Sequence, residues 1–254
     1  MMSYRVDFWL NSVVGLVGGI LIPYFMWKAI FGTSTESVIG GYTFAGMLLY
    51  YILAVLLGRI IQGPDLVLTL ANDIYQGELS RYLLYPAGYA PFKYAQHLGA
   101  MVPGLVQITL FGTIFALLLP IPSDFTVTPT SILACIVTVA IGNLLYFLMA
   151  YPIQALAFWA DNVWSLTVLL RFGVSLLGGL FLPLSLFPEW AQSVLRYSPF
   201  PYLFWFPVNT LIDRVPFKEW LAGVTTALAW CVVLALFGRF VWRRGELRYS
   251  GVGI

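Results

Sequence analysis

The stretch Gly58–Gly99, GRIIQGPDLVLTLANDIYQGELSRYLLYPAGYAPFKYAQHLG, is the long polar interruption in a chain whose remainder reads as membrane. Within it Asp65, Leu66, Leu70, Asp73 and Ile74, then Glu78, Leu79, Arg81, Tyr82 and Leu83, set apolar residues three and four positions apart among charged ones. The spacing predicts two short amphipathic helices hinged near Gly77. Pro64 suits the first turn of the first, and Pro86, followed by Gly88 and Pro91, ends the second. The apolar face, Leu66, Leu70, Ile74, Leu79 and Leu83, is expected to be buried partly on span ends and partly on a partner, with Asp73, Glu78 and Arg81 at its rim. A membrane chain that exposes such an element offers a partner something to grip.

Outward from this island the sequence is apolar on both sides. Of its 254 residues 60% are hydrophobic and 9% charged, against about 45–50% and 25% in soluble domains. A soluble core has no use for that much apolar surface. The net charge of +2 comes from scattered positive residues rather than a basic stripe, which argues against nucleic acid as a partner. Cys135 and Cys231 each sit in an apolar run and suggest neither a disulfide framework nor a metal site.

Residues Phe8–Phe31 are long enough to cross a bilayer core of ~30 Å as a helix, and the run continues through IPYFMWKAIF instead of closing on a cleavage site. Gly15 and Gly19 in it form a GxxxG, either a close-packing face or two of the glycines common in membrane helices. Further spans are expected at Tyr42–Leu57, Leu98–Leu119, Ser131–Ala150 with an extension towards Trp159, Val163–Leu182 and Trp220–Val241. The expected fold is therefore an all-α membrane protein, a single transmembrane domain over 1–254 with six transmembrane helices.

Lys and Arg set the orientation. With the N-terminus inside, Arg5, Arg59, Arg81, Lys93, Arg239, Arg243, Arg244 and Arg248 are cytoplasmic, whereas Lys28, Arg196, Arg214 and Lys218 lie outside. Both termini and the island (58–99) then face the cytoplasm. The segment Pro183–Pro216 falls on the outer side, and its prolines at 183, 188, 199, 201, 207 and 216 permit only short helices. Irregular backbone at membrane depth must be buried in protein or wetted. Short re-entrant or interfacial helices are expected there, with Trp190, Tyr197, Tyr202 and Trp205 at headgroup level, acting as a lid or simply as an anchor.

Catalytic constellations are missing from the sequence. The single histidine, His97, ends the island, HExxH and GxxxxGK[ST] are absent, and Ser175 in GVSLLGG has no histidine to activate it. Two charges stand out. Asp161 falls near a span end, but Arg171 sits half-way along the fifth span, where an arginine costs about 2.5–3.5 kcal/mol. It either snorkels or pairs with a neighbouring subunit, or it meets an anionic or polar group of a transported molecule on the translocation path.

Six spans, an island after the second and a Pro-rich segment before the sixth resemble the type-2 ABC transporter permeases, the membrane subunits of ABC exporters. IYQGELSRYLLYP is similar to that family's cytoplasmic coupling pattern, carried here by Gly77, Glu78, Leu79, Leu83, Leu84 and Pro86 beside Asp73, Ile74 and Arg81. GGLFLPLSLFPEWAQSVLRYSPFPYLFWFP resembles the family's outer gate motif, carried by Gly178, Gly179, Pro183, Phe187, Pro188, Pro199 and Phe200. The bacterial viologen-exporter-like subgroup looks nearest.

The resemblance implies a coupling helix in the island that fits a cleft on a cytoplasmic ABC ATPase. It further implies two ATPase subunits carrying ATP and Mg, with no cofactor in this chain. A second permease, identical or a paralogue, surrounding lipid, and residence in the bacterial inner membrane complete the implied setting. The expected function is transport of an amphiphilic small molecule or lipid. Such permeases usually begin with an amphipathic elbow helix, and only MMSYRVD precedes the first span, so the elbow is either abbreviated or lies upstream of this start. The rival readings are a secondary transporter, which wants ionisable residues at the midplane of related halves, and an intramembrane enzyme.

Overall fold

The computed structural model describes residues 2–33, 38–63, 69–118 and 125–249, and among them it is helical, with no strand. In chain order the helices are α1 (Met2–Thr33), α2 (Phe44–Ile61), α3 (Thr69–Tyr75), α4 (Leu79–Leu83), α5 (Tyr89–Ala100), α6 (Val102–Leu118), α7 (Pro129–Ala155), α8 (Trp164–Leu177), α9 (Glu189–Leu195), α10 (Trp205–Leu211) and α11 (Phe217–Glu246). Their ends obey local chemistry. Thr43 caps α2 by accepting the Gly46 N–H, and Thr128 and Ser131 form a reciprocal capping box on α7, whose first residue is Pro129. α11 carries Glu219 in its first turn and Arg243 and Arg244 in its last, matching the helix dipole.

Four helical stretches among the described residues are long and apolar enough to cross a membrane: Phe44–Ile61, Tyr89–Phe115, Pro129–Phe158 and Phe217–Glu246. The apolar helices Val17–Thr33 and Trp164–Leu177 are shorter. The second of these is shorter than the expected fifth span, Val163–Leu182. Its 14 residues rise roughly 21 Å, short of a ~30 Å core. It stops because Gly179 takes φ +97° and the Leu180 and Phe181 N–H groups turn back onto the Ser175 carbonyl.

The third crossing helix also departs from expectation, beginning at Tyr89 rather than Leu98. Pro91 therefore opens a helix instead of helping to end one. With Gly88 at the N-cap, Pro91 lies in the first turn, where its missing N–H leaves no gap. A single irregularity at Met101 separates α5 from α6, because Pro103 has no N–H for the Gly99 carbonyl and its ring crowds it.

α7 is the axis of the molecule. Half of its membrane-length stretch is buried, against 11% for Tyr89–Phe115, which packs along the periphery. Around α7 lie α2, α10 and α11, with Tyr50, Met47, Leu145, Leu203, Phe204 and Val208 fully enclosed in the larger core. In lipid such contacts gain by packing rather than by leaving water. Gly19 is one device for this, since a Cβ there would press on Val55 at 3.2 Å, so the small residue lets α1 close on α2.

The Pro-rich segment is broken as predicted into short pieces, α9, α10 and two single turns at Leu184–Leu186 and Phe200–Tyr202. Its aromatics divide in a way the sequence did not show. Trp190 and Tyr197 are exposed, but Tyr202 is buried and Trp205 half-buried, because α10 enters the core beside α7 and α2 instead of resting on a surface.

Candidate functional site

The island folds as two short helices about Gly77, whose φ of +73° is one a side chain would resist. Pro64, Asp65 and Leu66, the expected start of the first helix, lie outside the described residues. Four separate ties hold α3 and α4 to the body of the molecule. The Leu70 N–H donates to Gln154 Oε1 of α7 (3.1 Å), which satisfies one of the open N–H groups in the first turn of α3. The Tyr75 hydroxyl donates to the Ala160 carbonyl (2.9 Å), and burial raises its pKa above the ordinary tyrosine value. Tyr249, beyond α11, donates to the Gly77 carbonyl (2.8 Å) and accepts from the Ser80 N–H (3.3 Å).

The fourth tie is ionic. Lys93 Nζ of α5 stands 2.6 Å from Asp73 Oδ2 of α3, and the Tyr89 hydroxyl donates to the same oxygen. Asp73 and Lys93 are only 7% and 8% exposed. The ammonium also lies 4.2 Å from the Tyr82 ring centroid and 5.5 Å from that of Tyr89, a desolvated cation–π arrangement. Tyr89 stacks on Trp242 of α11 at 4.8 Å, and Trp242 in turn on Tyr151 of α7 at 5.8 Å. A displacement of α3 therefore meets α5, α7 and α11 through contacts that are already made.

This burial overturns the rim position assigned to Asp73. Leu70, Ala71, Asp73 and Ile74 of the seven-residue α3 are buried, so Asp73 faces Lys93 instead of solvent. Ile74 and Leu79 are buried, at 2% and 0% exposure, against this chain's own aromatic cluster. Leu83, by contrast, is 42% and Leu84 84% exposed, and Glu78, Arg81, Tyr85 and Pro86 are exposed around them. Arg81 lies over the Tyr82 ring, 5.0 Å from its centroid. The island thus has an inner face committed to the body of this chain and an apolar tip, Leu83–Leu84–Tyr85, left open.

A model of the ABC-2 family of transporter proteins matches residues 17–253, both this island and the Pro-rich segment included. The chain belongs to the ABC-2 family. It is therefore a multi-pass membrane permease of an ABC transporter, a family of transport subunits that are not themselves catalytic and that work with ABC ATPase partners. No curated protein and no solved structure matches it.

In this ABC-2 chain the outer motif is brought together in part. Gly178 lies where a Cβ would stand 2.9 Å from Phe204 and 3.0 Å from the Phe200 carbonyl, and a Cβ on Gly179 would meet the Tyr50 hydroxyl at 2.8 Å. The Tyr50 and Tyr51 hydroxyls of α2 donate to the Gly179 and Phe181 carbonyls (2.6 and 2.7 Å), and the Trp205 N–H donates to the Gly178 carbonyl (2.9 Å). Pro183 and Pro199 are buried, Phe187 accepts the Gln192 side-chain N–H at its carbonyl (2.7 Å), and Pro188 precedes α9 on the surface. Gly178, Gly179 and Phe200 form one junction, from which Phe187 and Pro188 stand apart.

Arg171 is exposed on α8, although it lies four positions from both Thr167 and Ser175, which are buried. Residues that sequence reasoning missed are Lys93, Tyr89, Gln154, Trp242 and Tyr249 around the island, and Asn143 deeper in α7. Asn143 is 1% exposed, its amide donates to the Ile60 and Ile61 carbonyls (3.0 and 3.2 Å), and its oxygen accepts from Tyr94 (3.1 Å). It closes the C-terminal end of α2 onto α7. An asparagine inside an apolar span was the available signal.

Proposed function

We propose that this chain is the transmembrane permease of an ATP-driven exporter that moves an amphiphilic small molecule or lipid across the bacterial inner membrane. In this reading six passes are made by α1, α2, α5 with α6, α7, α8 with the backbone that continues it to Leu182, and α11. Both termini and the island are cytoplasmic. Two ATPase subunits supply ATP and Mg chemistry, and a second permease, identical or a paralogue, completes the path on which Arg171 lies.

The observation that carries the proposal is the divided island. Asp73, Ile74 and Leu79 are committed to α5, α7 and α11, while Leu83, Leu84 and Tyr85 stand open beside Glu78 and Arg81. Central apolar anchors supply most of an interface's energy and rim charges its register. Leu84→Asp reaches only the open tip. It is expected to lower recovery of the ATPase in a detergent pull-down at least tenfold, with the permease itself still inserted and stable. Normal recovery together with normal transport would place the coupling surface elsewhere.

A further inference from the structure

Beside the ionic tie, α5, α7 and α11 enclose a cleft of about 560 Å³. Its walls are Tyr89, Tyr94, Phe147, Tyr151 and Trp242, and Arg239 stands at its edge. On the adjoining face of α11 a second groove, of about 370 Å³, runs along Leu236, Phe240 and Leu247 and is bordered by Arg239, Arg243 and Arg244. The two cavities share Arg239. All three arginines are exposed, and among the described residues none is ion-paired, although Arg244 lies over Phe240 at 5.0 Å.

We propose that this end of α11 is a binding site for an anionic phospholipid of the surrounding leaflet. Two apolar grooves that meet at one guanidinium fit a headgroup from which two acyl chains diverge, one along each groove. Arg239 and Arg243, one turn apart, take the phosphate, since guanidinium pairs well with phosphate oxygens. Basic pockets between membrane helices are a known way of holding anionic headgroups. A quaternary ammonium headgroup is disfavoured, because Trp242 already stacks on Tyr89 and Tyr151 and the charged residues that line the two cavities, Arg239, Arg243 and Arg244, are all positive. The proposal goes beyond the export reading and requires only that α11 crosses the membrane. A bound chain would touch Tyr89 and Trp242, so the lipid also becomes a wall of the ionic tie.

The test is fluorescence quenching in phosphatidylcholine bilayers that contain a small fraction of phosphatidylglycerol or phosphatidylcholine with brominated chains. The Trp242 component is the difference between the native chain and Trp242→Phe. Brominated phosphatidylglycerol is expected to quench it several-fold more than brominated phosphatidylcholine at equal mole fraction, and unlabelled phosphatidylglycerol to relieve that quenching at about a tenth of the phosphatidylcholine needed. The preference should vanish in Arg239→Gln/Arg243→Gln and survive in Arg239→Lys/Arg243→Lys. Equal quenching by the two lipids means annular lipid only and overturns the site, as does a preference that persists in the double Gln variant. Relief by inorganic phosphate alone would assign the arginines to a soluble anion and overturn it too.

Discussion

Removing the carboxylate of Asp73 tests whether the ionic tie holds the island in place. In Asp73→Ala the Lys93 ammonium remains 8% exposed, with the Tyr82 and Tyr89 rings as its nearest compensation. Breaking a buried pair from one side costs about 3–5 kcal/mol, and a desolvated cation–π contact returns on the order of 2, so the lower end of the range, about 3 kcal/mol, is expected. The loss falls on α3 and α4, whose other polar ties are the neutral hydrogen bonds of Leu70, Tyr75 and Tyr249. At 1.4 kcal/mol per decade, amide exchange over 69–83 should quicken roughly a hundredfold, up to the limit set by full local opening, while α7 and α11 keep their protection. Lys93→Met should cost less, because the carboxylate keeps the Tyr89 hydroxyl and can take a proton. The double variant Asp73→Ala/Lys93→Met should recover most of the loss, since an apolar replacement of both partners is near neutral. Hydrogen–deuterium exchange with peptide resolution on the purified permease reads all three. Native protection in Asp73→Ala, or a double variant as impaired as the single, would refute the reasoning and leave the hydrogen bonds as the sole anchors.

Three further perturbations have defined outcomes. Leu79→Asp places a carboxylate at a site 0% exposed among Leu70, Ile74 and Tyr82, costing on the order of 3–5 kcal/mol; unlike Leu84→Asp it should loosen the island itself, read as faster exchange over 69–83 before any ATPase is added. Gly179→Val combines a φ of +97° with a Cβ 2.8 Å from the Tyr50 hydroxyl and 2.9 Å from Trp205 Cβ, so backbone strain and overpacking together should destabilise by about 2–5 kcal/mol, seen as a lower Tm in detergent, whereas an unchanged Tm would show that the junction is loose. Arg171→Ala, at an exposed position on α8, should change stability by less than about 0.5 kcal/mol and reduce transport in reconstituted vesicles, and full transport would remove it from the path.

The order of amino acids was enough to establish the class of the molecule and most of its helices, because those depend on local quantities. A run of apolar residues long enough to cross a bilayer is helical wherever it lies, since lipid leaves backbone groups no other partner, and the prolines of 183–216 forbid a long helix whatever surrounds them. The hinge at Gly77 and the two motifs carrying the family resemblance were legible for the same reason. Which side of the island is inside was settled by the assembled fold alone. An amphipathic pattern assigns faces on the assumption that one side is wet, and α3 violates it: Asp73 is enclosed because Lys93, twenty positions on, sits 2.6 Å away. Whether a charge can be buried depends on a partner's distance, which no spacing along the chain encodes. Leu83 and Leu84 stay open because the enclosing elements end short of them, and Tyr202 is buried because α10 enters the core. Helix by helix the chain was readable, but the contacts that join the island to three membrane helices arise from residues far apart in sequence, each unremarkable where it stands.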